Sequence, residues 1–196
     1  DVYAVGDVAE SFSVITGKPI YRPLGSTANK MGRIAGDVIT GGNLEHRGVL
    51  GTGIFRIFDL HVGQTGLTEK EAIQEGYEYE TLYNLKPDHA EYLGGQELTI
   101  KALADRKTGR VLGAQVIGKG GVDKRVDVLA TAITFGAKAE DLFHLDLAYA
   151  PPFATTKDPV LYTGMALDNA IKRNPLMTPT KILAAQEKGE AIQIID

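Results

Sequence analysis

The chain has 196 residues, of which 43% are hydrophobic and 23% charged, with a formal net charge of −4 and a pI of about 5.6. That is enough apolar material for a sizeable core, which excludes a disordered chain, and the acidic balance speaks against general nucleic-acid or membrane-surface binding. There is no cysteine, so disulfides and thiol chemistry within this chain are excluded and any redox thiol has to come from elsewhere.

The four histidines, His46, His61, His89 and His144, have no metal-ligand spacing, and no metal is expected. No apolar run approaches the length of a membrane span and no signal peptide is visible. The expectation is a soluble, cytoplasmic protein with neither a membrane nor a nucleic-acid partner.

Residues 2–5 are an apolar run ending in Gly6-Asp7, the pattern of a buried strand that stops at a glycine so that an acidic side chain meets a ligand. An ordinary Gly-Asp turn is the alternative. From Ser26 the apolar residues Ala28, Met31, Ile34 and Val38 recur at helical steps, with Ser26 or Thr27 as N-cap and Gly41-Gly42 as the stop. Asn29 falls in the first turn of that helix, and Lys30 and Arg33 make one face basic. A glycine-rich bend at 48–53 marks a domain boundary near residue 50.

Residues 54–60 read as a strand, and Thr68 with Glu71 as a capping box opening a helix to about Gly76. Residues 77–85 place Tyr77, Tyr79, Thr81 and Tyr83 on one face of a strand. Residues 97–105 and 111–117 form a hairpin about Lys107-Thr108-Gly109. Gly118-Lys119-Gly120-Gly121 then precedes a helix over 122–135 with the stripe Val122, Val126, Leu129 and Ile133. A glycine-rich turn at a helix start is a possible phosphate cradle, although the full dinucleotide fingerprint is absent.

A short helix at 139–143 leads into Leu147-Ala148-Tyr149-Ala150-Pro151-Pro152-Phe153. The paired prolines make this loop stiff, and Asp158-Pro159 reads as the N-cap and first residue of a helix ending at Asn174-Pro175. Lys157 lies just outside that helix start, free to meet an anion. Thr178-Pro179 opens a further helix, closed by Gly189 and followed by an apolar strand at 191–196. The chain starts without Met inside one expected strand and stops on another, so a fragment is expected.

Three of these stretches resemble the pyridine nucleotide-disulfide oxidoreductases, specifically the coenzyme A-disulfide reductase, NADH oxidase and persulfide reductase branch. They are Val2-Tyr3-Ala4-Val5-Gly6-Asp7, the helix start Gly25-Ser26-Thr27-Ala28-Asn29-Lys30-Met31-Gly32-Arg33, and the proline loop with Lys157-Asp158-Pro159. Gly121-Val122-Asp123-Lys124-Arg125-Val126-Asp127 extends the resemblance. It implies an α+β fold, a dimerisation domain with an antiparallel sheet covered by helices, preceded by a fragment of an FAD-binding α/β domain. The implied division is 1–50 for the end of the FAD domain, 51–174 for the dimerisation domain and 175–196 for a linker and the start of a rhodanese domain.

The resemblance further implies FAD contacts at Gly6, Asp7, Ala28 and Tyr149, and substrate contacts at Asn29, Arg33 and Lys157. Tyr149 and Tyr92 would be catalytic tyrosines entering the partner active site of a homodimer. FAD and NAD(P)H are the implied cofactors, both held mainly by sequence outside this chain. A coenzyme A disulfide, persulfide or polysulfide is the implied substrate. Lacking the nucleophilic cysteine and both dinucleotide-binding glycine motifs, the chain alone is expected neither to hold FAD well nor to turn over. An NADH oxidase of the same family and a non-catalytic dimerisation module are the alternatives.

Overall fold

The computed structural model describes residues 2–172 and 177–193. Its centre is a five-stranded antiparallel sheet in the order β3-β4-β7-β6-β5. The strands are β3 (Gly53–Ile57), β4 (Leu60–Gly66), β5 (Tyr79–Pro87), β6 (Glu97–Asp105) and β7 (Val111–Gly118). A two-stranded ribbon of β1 (Ser11–Phe12) and β2 (Pro19–Ile20) precedes it, with helix α1 (Gly25–Ile39) between the ribbon and the sheet.

The β6–β7 hairpin forms where the alternation of Leu98, Ile100 and Ala102 places it, and all three side chains are buried. Its turn is built by Asp105, whose carboxylate accepts from the Lys107 and Thr108 amides and, at 2.6 Å, from the Thr108 hydroxyl. Gly109 follows with φ 75°, a conformation that strains any residue with a Cβ.

Helix α3 (Val122–Thr134) lies on β4 and β7, while α5 (Pro159–Lys172) lies on β5 and β6. The α3 stripe of Val122, Val126, Leu129 and Ile133 is buried throughout. Gly63 of β4 faces that stripe, and a Cβ there would strike Val126. The short helix α4 (Ala139–Phe143) packs on α5, which approaches it closely at Gly164. Asn84 of β5 donates to the Pro159 carbonyl at 2.9 Å and to the Thr163 hydroxyl at 3.2 Å, fixing the start of α5 on the sheet.

The opposite sheet face carries Phe55, Val62, Ile117, Thr99 and Leu85 in one cross-strand row. Phe55, Ile117 and Leu85 are exposed in this chain. The aromatic face expected on β5 belongs to this open side, since it is Glu80 and Leu82 that are buried beneath α5.

Several expectations need correction. Residues 2–5 are not a strand: Val2 is 99% exposed, and Gly6–Val8 form a single 3₁₀ turn. A strand buried on both faces requires neighbours in hydrogen-bonding reach, and no described strand lies beside this segment. Helix α1 begins two or three residues earlier than expected: its N-cap is Leu24, not Ser26 or Thr27, and no side chain caps it.

The single strand expected at 54–60 is a hairpin, turning at Phe58 and Asp59, and β4 continues to Gly66. Phe58 takes φ 53° there although it has a Cβ. The expected break at Asn174-Pro175 lies outside the described residues. The tail helix α6 (Pro179–Glu187) forms, with the Thr178 hydroxyl accepting from the Lys181 amide. Residues 191–193 are not in a strand, and 194–196 lie outside the described residues.

The first 50 residues are tied to the sheet. Ile15 joins the core cluster around Leu67 and Leu112. Arg22 pairs with Glu71, and Lys18 with Glu75, both of them at helix α2 (Glu69–Gln74) or its end.

Candidate functional site

The residues singled out above fall into two groups in space. The first surrounds the start of α1. Gly6 has φ 80°, and a Cβ on it would lie 3.5 Å from the Ala28 Cβ, so the 3₁₀ turn lies directly against the helix. The Tyr21 hydroxyl donates to the Asp7 carbonyl at 2.9 Å, leaving the Asp7 carboxylate exposed. Asn29 and Arg33, one turn apart on α1, are also exposed. Because no side chain caps α1, its first amides remain available to a polar or anionic group. Gly6, Asp7 and Ala28 thus lie side by side on one surface, next to the uncapped start of α1.

The second group is made of two loops. Tyr92 stands on a 3₁₀ turn, Glu91–Leu93, and is 80% exposed. Tyr149, 51% exposed, stands on the proline loop, which turns tightly as the Phe153 and Ala154 amides both donate to the Ala150 carbonyl. The loops touch where the Ala90 amide donates to the Pro151 carbonyl at 3.2 Å. Neither tyrosine hydroxyl has a hydrogen-bond partner among the described residues. Lys157 lies with its Nζ 5.0 Å from the Tyr162 ring centroid, and Lys86 approaches the same ring at 4.2 Å. No hydrogen bond or ion pair among the described residues joins the two groups.

Beneath the two loops lies a buried charge. Arg125 of α3 donates to both carboxylate oxygens of Asp158, at 2.8 and 3.4 Å, to the Asp88 carbonyl at 2.7 Å and to the Gly121 carbonyl at 3.2 Å. Asp158 also caps α5 through the Val160 amide at 3.0 Å, as its position before Pro159 foretells. The Asp88 carboxylate accepts from the Gln96 amide at 2.7 Å, closing the Tyr92 loop, and lies 2.9 Å from His89 Nδ1.

This arrangement accounts for the glycines at 120 and 121. A Cβ on Gly120 would strike the Asp88 carboxylate, and one on Gly121, at φ 63°, would strike the Arg125 guanidinium. The space a phosphate would need is filled by these side chains. The role of Arg125 is visible in the sequence only as a charge three residues after Val122, on the apolar stripe of α3.

The antiparallel sheet thus carries α3 and α5 on one face, while α2 meets the other through Glu69, which contacts Tyr79 and Lys101. Residues 54–159 match the family described as pyridine nucleotide-disulphide oxidoreductase, dimerisation domain, and the chain belongs to that family. It is 46% identical over 170 residues to the NAD(P)H sulfur oxidoreductase (CoA-dependent) of Pyrococcus furiosus, covering 85% of this chain and 38% of that relative.

Among solved structures, an NAD-dependent persulfide reductase from A. fulgidus superposes with a TM-score of 0.83 at 41% identity, over 85% of this chain and 31% of that one. Reduced Bacillus anthracis CoADR-RHD superposes with a TM-score of 0.90 at 37% identity, over 95% of this chain and 34% of that one. The chain thus spans less than two fifths of the length of the curated relative it matches.

Proposed function

We propose that this chain is the C-terminal part of an FAD-dependent, NAD(P)H-driven oxidoreductase that reduces a coenzyme A persulfide, polysulfide or disulfide. In this reading its sheet domain forms a homodimer and lends Tyr92 and Tyr149 to the partner's active site. The observation that carries the reading is the pair of exposed, unpartnered tyrosine hydroxyls on two touching loops, separate from the flavin-side surface of the same chain. Residues that serve one site but stand apart in one chain are brought together by a second copy. The sulfur and persulfide reductases among the relatives support the choice of substrate.

Bound at Gly6, Asp7 and Ala28, FAD would supply the two-electron chemistry. The residues of this chain orient and donate. Cleavage of an S–S bond releases a thiolate, and a tyrosine hydroxyl held at its sulfur donates the hydrogen bond or proton that stabilises it. The stiff proline loop limits how far that hydroxyl strays. Asn29, Arg33 and Lys157 serve the coenzyme A moiety, Lys157 through a phosphate. The division into 1–50, 51–174 and a rhodanese-type start from 175 belongs to the same proposal. The Thr178-capped α6 and the larger coverage of the Bacillus anthracis structure support its last part.

In the full-length enzyme Tyr149→Phe is expected to lower kcat for the coenzyme A substrate more than it raises KM. Unchanged kcat would reduce Tyr149 to packing and sink its catalytic role.

A further inference from the structure

We propose that Arg125 is the positioning residue that sets the Tyr92 loop and the Tyr149 loop relative to one another. This rests on the reading above, in which both tyrosines serve the reaction. The guanidinium holds the Asp88 carbonyl, where the Tyr92 loop begins, and the Asp158 carboxylate, where the Tyr149 loop ends. The Gly121 carbonyl anchors it to the start of its own helix. Arg125 is 1% exposed, whereas the loops above it reach into solvent.

Among the described residues, the direct hydrogen bonding between the loops is the single Ala90–Pro151 contact. One backbone bond is a hinge, since the two segments can rotate about it. The guanidinium adds further attachment points in a fixed planar fork and so removes that freedom. Packing alone does not require a buried charge here, because apolar residues of similar volume often stabilise as well as a buried ion pair. What such residues cannot do is bind a carbonyl of one loop and a carboxylate of the other in one plane.

Lysine is the informative replacement. It keeps the charge opposite Asp158, where the Lys124 Nζ already stands at 3.6 Å, but its single ammonium cannot reproduce the fork. The test is a double-mutant comparison in the full-length holoenzyme. R125K is expected to keep its flavin spectrum and to lose about 100-fold in kcat, the penalty of a catalytic group displaced by about 1 Å. In a Tyr149→Phe background the same change should cost little more, because the hydroxyl it positions is already gone.

Asp158→Asn is a second variant, keeping an acceptor for the Val160 amide while losing the charge, and the same pattern is expected of it. Equal losses from R125K in both backgrounds, or a wild-type kcat in R125K, would overturn the assignment while leaving the tyrosine reading intact. A wild-type kcat in Tyr149→Phe alone would instead overturn the reading and the assignment with it.

Discussion

Arg125 is kept out of water by four oxygens, two from Asp158 and one each from Gly121 and Asp88. Removing the guanidinium leaves the buried Asp158 carboxylate, among the described residues, with only the Val160 amide at 3.0 Å and the more distant Lys124 Nζ at 3.6 Å. Arg125→Met is therefore expected to destabilise the chain by about 3–5 kcal/mol, read from urea or thermal unfolding. Gly121 is tied to the same network through its left-handed backbone and the lack of room for a Cβ. Gly121→Ala should cost about 2 kcal/mol, one part from the strained φ and another from displacing the guanidinium. An unchanged unfolding midpoint in Gly121→Ala would mean that neither constraint operates.

Helix α2 is short, and its ends decide whether it forms. The Thr68 hydroxyl accepts from the Glu71 amide, while the Glu71 carboxylate accepts from the Thr68 amide at 2.8 Å and pairs with Arg22. Partial burial pushes the Glu71 carboxyl up, but the Thr68 amide, the Thr68 hydroxyl and Arg22 together hold it below the ordinary glutamate value of 4.5. Glu69 is lowered chiefly by its hydrogen bond from Lys101, against the effect of burial.

A carboxyl depressed in the folded state contributes stability above its unfolded value and loses it as pH falls through the folded one. Stability should therefore decline below about pH 4.5, and Glu71→Gln should flatten that decline in acid unfolding curves. Thr68→Ala should cost about 1 kcal/mol at neutral pH. The β3–β4 turn offers a gain instead. Phe58 is 89% exposed with φ 53°, so Phe58→Asn, which tolerates that conformation, should raise stability by about 0.5–1 kcal/mol.

For the whole molecule, the open sheet face and the exposed tyrosine loops leave large apolar side chains in water, as soluble monomers rarely do in contiguous patches. The chain is expected to elute as a dimer at micromolar concentration, and a clean monomer on sizing would argue against a self-sufficient dimerisation domain. Much of the architecture was legible beforehand. The β6–β7 hairpin, the capping box on α2, the α3 stripe and the Asp158-Pro159 start of α5 all depend on neighbours a few residues away, and local chemistry specifies them. The proline loop also carried enough in its own residues to mark the candidate site.

Local pattern failed where a partner distant in sequence decides the outcome. Residues 2–5 have the composition of a buried strand, yet an extended segment becomes a strand only when another lies beside it. The glycines at 120 and 121 have the spacing of a phosphate cradle, yet Asp88 and Arg125 fill the space above them. Hydrophobic period and turn chemistry are short-range and can be read along the chain. Which backbone pairs with which depends on partners distant in sequence, such as His61 and Gly118, and the loops one guanidinium draws together are 33 and 37 residues from it; these contacts exist only once the chain has closed on itself.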